Sequence, residues 1–404
     1  MNQFPDKLRK KLNDRSEVNS IRSLGPTSSR LIDFSSNDYL GFSSAKKIFN
    51  KTSQILREYA LENNGATGSR LLSGNNKLIE SAEAVVGGFH KDDAIIFNSG
   101  YDANIGFFGC VPQRGDLIFY DELVHASIRD GISMSKAKGY KFKHNDLDSL
   151  RGLIKKQLDY IAPPREVNNK EIKGQVIYIV TESVFSMDGD MPDLHGLADF
   201  CSKHAYYLIV DEAHAVGVVG KGRGACQELN LEEQIFARII TFGKAMGCHG
   251  AAILGSKELV TYLLNFARSF IYTTALSPHS AAAIIASYQE LIIEQSTPGN
   301  SMDSLSQNIS LFRSSAKEYH IEGSFIESAS AIHSCVVPGN LIVKSASDHL
   351  KRAGLDVKAI LSPTVPEGKE RLRICLHSFN TELEIKEAVK QLATFVNKLH
   401  TNAR

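Results

Sequence analysis

The chain has 404 residues, 43% hydrophobic and 23% charged, with a formal net charge of +1. That is a globular composition on a chain longer than one compact core usually holds, and it leaves no electrostatic footprint for nucleic acid or an acidic membrane. No apolar run reaches bilayer length, and residues 1–12 are charged where a signal peptide would be apolar, so a cytoplasmic protein with no membrane or nucleic-acid partner is expected.

In chain order, an amphipathic helix and a loop lead to Leu-Ile-Asp-Phe-Ser-Ser-Asn-Asp-Tyr-Leu-Gly at 31–41. A helix is predicted over 46–57, a Gly/Ser/Asn-rich loop over 63–75 and a helix over 77–89. Short apolar runs then alternate with helical stretches. They lie at 94–97, 116–120, 175–180, 206–210, 238–242 and 251–254. Continuous apolar strands alternating with helices predict an α/β fold with a mostly parallel sheet covered on both faces. A helix over 278–294 ends the pattern. Strand-like runs follow at 327–337 and 371–376. The last helix opens at Thr381 with Glu384 three residues on, a capping box, and its apolar face is predicted to run Leu383, Val389, Leu392, Val396, Leu399. The expected organisation is an N-terminal segment (1–45), a large domain (46–280) and a smaller α+β domain (281–404). The six cysteines contain no Cys-x-x-Cys pair, so neither a disulfide framework nor a metal site is indicated.

Two apolar runs end in residues whose chemistry is complementary. The run at 206–210 leads into Asp211, and the run at 238–242 leads through Gly243 into Lys244. A carboxylate and an amine at two strand ends are what pyridoxal phosphate (PLP) needs. The lysine bonds to its aldehyde, and the carboxylate keeps its pyridine nitrogen protonated so that the ring accepts electrons. Lys244 precedes Ala-Met-Gly-Cys-His-Gly, too small and apolar for an ordinary solvated lysine. Asp211 alone could equally cap the next turn. Residues 211–214, Asp-Glu-Ala-His, also match a magnesium motif of one helicase class, but that class requires an upstream Gly-x-x-x-x-Gly-Lys-Ser/Thr loop that this chain lacks.

Most of the 13 histidines are expected to satisfy local hydrogen bonds. His125 lies just past a strand end, where an imidazole could stack on a flat ring, and His214 is near enough to Asp211 to reach the same ligand. Ser99-Gly100-Tyr101 follows a strand and opens a helix, which suits a phosphate but also an ordinary turn. Thr241, Thr273 and Thr274 offer hydroxyls to the same phosphate. Ser186, in the loop after the run at 175–180, could donate to a ring oxygen or merely form a turn. Arg371 and Arg373 alternate onto one strand face, where each needs an anion: a substrate carboxylate or a structural carboxylate.

Taken together, these residues resemble the α-oxoamine synthases within the fold-type I PLP enzymes. The resemblance runs from Ser-Asn-Asp-Tyr-Leu-Gly at 36–41, through Gly-Ala-Thr-Gly-Ser-Arg at 65–70, His-Ala-Ser at 125–127, 181–190, 211–214 and 241–244, to Pro-Thr-Val-Pro at 363–366 and Arg-Leu-Arg at 371–373. It implies a central sheet flanked by helices, bound PLP, and condensation of an amino acid with an acyl thioester, acyl-CoA or acyl-carrier protein, with loss of CO2. It implies that Lys244 is the cofactor-bonding lysine, Asp211 the partner of the pyridine nitrogen and His125 the stacked imidazole. Ser186 and His214 would stand near the phenolic oxygen, and Gly100, Tyr101 and Thr241 near the phosphate. Thr273 and Thr274 would reach the phosphate of a second subunit, which implies a homodimer. Arg373 with Asn37 would hold the amino-acid carboxylate, and Thr364 and Arg22 would be further substrate contacts. The motif residues look most like members that join L-alanine to a pimeloyl thioester, then like glycine- and serine-using members. Arg70 departs from some of the former.

Overall fold

All six apolar runs lie in one seven-stranded sheet of the computed structural model, which describes residues 4–22, 24, 31–160 and 174–402. The strands are β1 (Asp93–Phe97), β2 (Leu117–Asp121), β3 (Lys138–Phe142), β4 (Ile177–Glu182), β5 (Tyr207–Asp211), β6 (Ala237–Thr241) and β7 (Ala251–Gly255). Their order across the sheet is β1-β7-β6-β5-β4-β2-β3. Every neighbouring pair is parallel except those of β7, which runs antiparallel to β1 and β6. Two reversals leave β1 pointing the same way as β6. The carboxyl ends of β1, β2, β4, β5 and β6 therefore share one edge, where ligands meet sheets of this kind.

β4 and β7 are buried along their whole length, which is why they read as unbroken apolar runs rather than alternating ones. Covering helices complete the core: Phe107 and Phe108 from Gly100–Cys110 join Ile128 and Ile132 from Ala126–Met134. The run at 238–242 is apolar except for its first residue. Arg238 is fully buried and bonds Asp92 at 2.5 Å and the His90 carbonyl at 2.9 Å, with Glu212 at 3.6 Å. Paired this way, a cation is tolerated in a central strand. β3, Lys-Gly-Tyr-Lys-Phe, is not among the expected strands. It is a sheet edge, and its exposed lysines hide the apolar signal.

The chain divides into two units, one of Leu40–Phe185 with Met191–Met302, the other of Met1–Tyr39, Ser186–Asp190 and Asp303–Arg404. The division falls at 302/303 rather than near 280, because Pro278–Gln295 packs on the helices Lys46–Glu58 and Lys77–His90. Nor is the N-terminal segment a separate piece. Ile32–Asp33 pairs in parallel with Leu355–Asp356. The smaller unit also holds an antiparallel sheet in the order Lys358–Ile360, Arg371–Cys375, Ile332–Val336. The loop expected before Leu31 lies largely outside the described residues.

Two further expectations are corrected. The strand-like run at 327–337 is a strand only over Ile332–Val336. Ser328 donates to the Ile332 carbonyl at 2.7 Å and Ser330 accepts its N–H at 3.1 Å, so serine turns take the backbone groups a longer strand would use. In the last helix the capping box forms, with Thr381 N–H donating to Glu384 at 2.7 Å and Glu384 N–H to Thr381 Oγ1 at 3.3 Å. Its buried stripe begins at Ile385, however, whereas Leu383 is 80% exposed in the first turn. Among the described residues, no helix is long and apolar enough to cross a membrane.

Candidate active site

Each strand that ends on the shared edge delivers a polar group at or just past its last residue. After β1, Ser99 caps the helix Gly100–Cys110, accepting the Asp102 N–H at 3.1 Å and donating to the Asp102 carboxylate at 2.8 Å. The N–H groups of Gly100 and Tyr101 fall in the first turn, where helix geometry provides no acceptor. A Cβ built on Gly100 would stand 3.8 Å from the side chain of Thr241, so the end of β6 faces this helix start. The Tyr101 phenol turns away to Asp130 at 2.7 Å. Asn98 ties in Thr273 and Thr274, donating to the Thr273 hydroxyl at 3.2 Å and the Thr274 carbonyl at 2.8 Å. Both threonines thus lie beside this chain's own helix start.

The opposite end of the cluster is carboxylate-rich. Asp211 ends β5 and is 6% exposed. It accepts the Ala213 N–H at 3.0 Å, which forms the tight turn carrying His214, and an N–H of Asn104 at 3.1 Å. His214 is buried in that turn. Glu182, the last residue of β4, sits directly beside Asp211 in the sheet register. In a parallel pair, residues in register project to the same face, so two carboxylates share one buried patch. Burial, then the Asp211 charge, lifts the Glu182 carboxyl to about 8, while Lys244 opposes the rise. His125 caps Ala126–Met134, and its backbone N–H donates to Glu182 at 2.5 Å. Burial holds the His125 imidazole below its ordinary range. Asp211 pulls it upward and Lys244 pushes it down. Asp211 and Lys244 thus both bear electrostatically on His125 and Glu182. Lys244 lies in the loop after β6, closed by Gly247 N–H to Lys244 O at 2.8 Å and Cys248 N–H to Phe242 O at 2.9 Å.

This set fits PLP. Amide donors and a hydroxyl suit its phosphate, a carboxylate its pyridine nitrogen, an imidazole its ring face and an amine its aldehyde. Glu182 gives a test of the electrostatics. Its carboxyl takes up a proton on folding, between the ordinary 4.5 and about 8, so its contribution to stability falls as pH rises through that window. Glu182→Gln apoprotein should be no less stable than wild type at pH 5. It should gain relative stability as pH climbs from about 5 to about 8, by up to roughly 1.4 kcal/mol per pH unit, and level off above that, read from paired thermal melts. A constant difference across pH would refute the assignment.

In the smaller unit, Arg373 is 7% exposed and donates from Nε to the Ser186 carbonyl at 2.6 Å, from Nη1 to Cys375 Sγ at 2.9 Å and from Nη2 to Asn37 Oδ1 at 2.9 Å. All three acceptors are neutral, and no ion pair to Arg373 forms among the described residues. Arg371, two positions back, is paired with Asp188. The two arginines thus divide the alternatives the sequence left open: one has a carboxylate within the protein, and the other is a buried cation still needing an anion. Arg22 reaches Thr364, with Nη2 to Oγ1 at 3.4 Å, although 342 positions separate them. Arg70 is held bidentate by Glu83 at 2.8 and 2.9 Å and lies over the Phe270 ring. Its charge is neutralised inside the fold, so it is no evidence about the acyl donor.

Three site residues receive no role in the sequence reading: Asn104, and Ser127 and Glu182, which lie within segments that carry the resemblance. Glu182 carries the same signal as Asp211, an acid closing an apolar strand. Asn104 is the polar intruder in the apolar helix Gly100–Cys110, and it is 2% exposed.

Residues 29–392 match the model of the aminotransferase class I and II family. The chain is 38% identical over 405 residues to an 8-amino-7-oxononanoate synthase of Emericella nidulans, covering 98% of this chain and 96% of that one. Among solved structures it resembles 8-amino-7-oxononanoate synthase from Francisella tularensis, with TM-score 0.74, 29% identity and coverage of 92% and 100%. A serine palmitoyltransferase of Sphingomonas wittichii shares the fold, with TM-score 0.82, 24% identity and coverage of 99% and 98%.

Proposed function

Because the chain belongs to the aminotransferase class I and II family, among its PLP-dependent α-oxoamine synthases, we propose that it joins L-alanine to a pimeloyl thioester. The products are 8-amino-7-oxononanoate, CO2 and the free thiol of CoA or of a carrier protein, a step of biotin synthesis. When bound, PLP supplies an electron sink for the charge left on the amino acid's α-carbon.

The protein's own groups do the rest. The Lys244 amine would anchor the cofactor and would serve as the base that takes the α-proton of the amino acid. Asp211 keeps a proton on the pyridine nitrogen, and His125 covers the ring face. His214 and Ser186 serve the phenolic oxygen. Gly100 and Tyr101 through their N–H groups, and Thr241 through its hydroxyl, hold the phosphate. Thr273 and Thr274 reach toward the phosphate of a second copy in a homodimer. Arg373, steadied by Asn37, takes the carboxylate of alanine.

The acyl preference rests on the contact between Arg22 and Thr364. A pimeloyl chain ends in a carboxylate, which a guanidinium and a hydroxyl bind together. Acetyl and palmitoyl chains end in a methyl group, so the same pair speaks against glycine acetyltransferase and serine palmitoyltransferase activities.

Thiol release should be followed with alanine, glycine or serine against acetyl-, pimeloyl- and palmitoyl-CoA. Release that is highest for alanine with pimeloyl-CoA, and lowered by Arg22→Ala, supports the reading. Preference for palmitoyl-CoA with serine, or stoichiometric pyruvate from alanine alone, overturns it.

A further inference from the structure

A line of hydrogen bonds joins Asp211 to His125 through two buried side chains that have no assigned role. Asn104 Nδ2 donates to Asp211 Oδ2 at 3.1 Å and to Ser127 Oγ at 3.0 Å. Ser127 Oγ lies 2.7 Å from His125 Nδ1, and the Ser127 backbone N–H donates to the same nitrogen at 3.2 Å. Asn104 is 2% exposed and Ser127 fully buried.

Donor and acceptor rules give this line a single direction. Ionised Asp211 only accepts, so the Asn104 amide must present its NH2. That NH2 also faces Ser127, so the serine oxygen accepts there and its own proton must go elsewhere. The acceptor within reach is His125 Nδ1. The Ser127 N–H already points at that nitrogen, so Nδ1 carries a lone pair and not a proton. The proton of the neutral imidazole is therefore on Nε2. The arrangement has a cost: Asn104 Oδ1 is buried and accepts no hydrogen bond from the described residues. An orphaned buried acceptor calls for a reason, and turning the amide over would set two oxygens against each other at Asp211.

We propose that Asn104 and Ser127 are positioning residues that couple the Asp211 carboxylate to the His125 imidazole and hold that imidazole neutral, protonated on Nε2. This rests on the reading that Asp211 and His125 meet the same PLP ring. The acid under the ring nitrogen and the imidazole against the ring face are then aligned as one unit before the cofactor arrives. Sequence gives no hint of the coupling, because the four residues come from three separate segments, only His125 and Ser127 being neighbours in the chain.

The test reads the apoprotein first. Histidine labelled with nitrogen-15 reports which ring nitrogen carries the proton, with the His125 signal identified by its loss in His125→Asn. The expected result is Nε2–H in wild type, a mixture of tautomers in Ser127→Ala, and restoration in Ser127→Thr, which keeps the hydroxyl. Affinity of apoprotein for PLP is the second reading. Asn104→Ala and Ser127→Ala should each weaken it roughly ten-fold, and the double variant by little more than either. A protonated Nδ1 in wild type, an unchanged tautomer in Ser127→Ala, or fully additive losses would overturn the proposal. Should Asn104→Ala fail to fold, the Ser127→Ala and Ser127→Thr pair decides alone. A wild type inactive with every acyl-CoA would sink the acyl-transfer reading and leave the tautomer result standing.

Discussion

Lys244→Ala is expected to bind PLP and turn nothing over. The Thr241 hydroxyl, the amides of Gly100 and Tyr101, and the Asp211 carboxylate all remain, so under the proposed assignment the cofactor would keep its phosphate and ring contacts. What disappears is the amine that joins the aldehyde and the base that moves the α-proton. Loss of a positioned base alone costs about 10²- to 10⁴-fold, and loss of the covalent anchor adds to it, so thiol release should drop by roughly four orders of magnitude or more. Two measurements separate this from misfolding. Borohydride should fix PLP covalently to wild type and not to the variant, read by intact mass, and the variant's melting temperature should remain within a few degrees of wild type. Substantial condensing activity in Lys244→Ala would end the case for this lysine.

The second large effect contrasts two arginines on one strand. Arg371→Met strands the buried Asp188 carboxylate, and breaking such a pair costs about 3–5 kcal/mol, enough to lower the melting temperature plainly. Arg373→Met removes a buried cation that has only neutral partners, so stability should hold or improve. Its cost should fall on substrate instead. One or two charge-assisted hydrogen bonds at ~1.5–3 kcal/mol each correspond to a rise in KM for alanine of about ten- to a hundred-fold or more. The KM for the acyl-CoA should change far less. If Arg373→Met unfolds the protein and leaves alanine binding intact, the two residues have been assigned the wrong way round.

What could be read in advance follows a physical division. β4, β5 and β6 are buried along most of their length, so their side chains are mostly apolar, Arg238 being tolerated among acids, and the charged residue closing each apolar run marks where the strand leaves the sheet. That is why Asp211 and Lys244 stand out without a structure. The same rule, applied evenly, would have flagged Glu182. Edge strand β3 was invisible because exposed lysines break the pattern. The division of labour between Arg371 and Arg373 was illegible for another reason. Alternation fixes the face of a strand but says nothing of which neighbour, here Asp188, comes to meet it. Coupling through Asn104 and Ser127 is further out of reach, since it depends on distances between segments far apart in the chain.

The make-up of the smaller unit has a consequence for biosynthesis. Its first piece, Met1–Tyr39, leaves the ribosome early, yet Ile32–Asp33 can pair only once Leu355–Asp356 has been made. At ~5–20 residues per second the early piece waits roughly a quarter of a minute to a minute. The seven-stranded sheet can close during that interval, because its last strand precedes residue 256. Nascent chains halted before residue 303 should accordingly leave the amino-terminal stretch open to protease while the sheet resists, and release of the finished chain should close it.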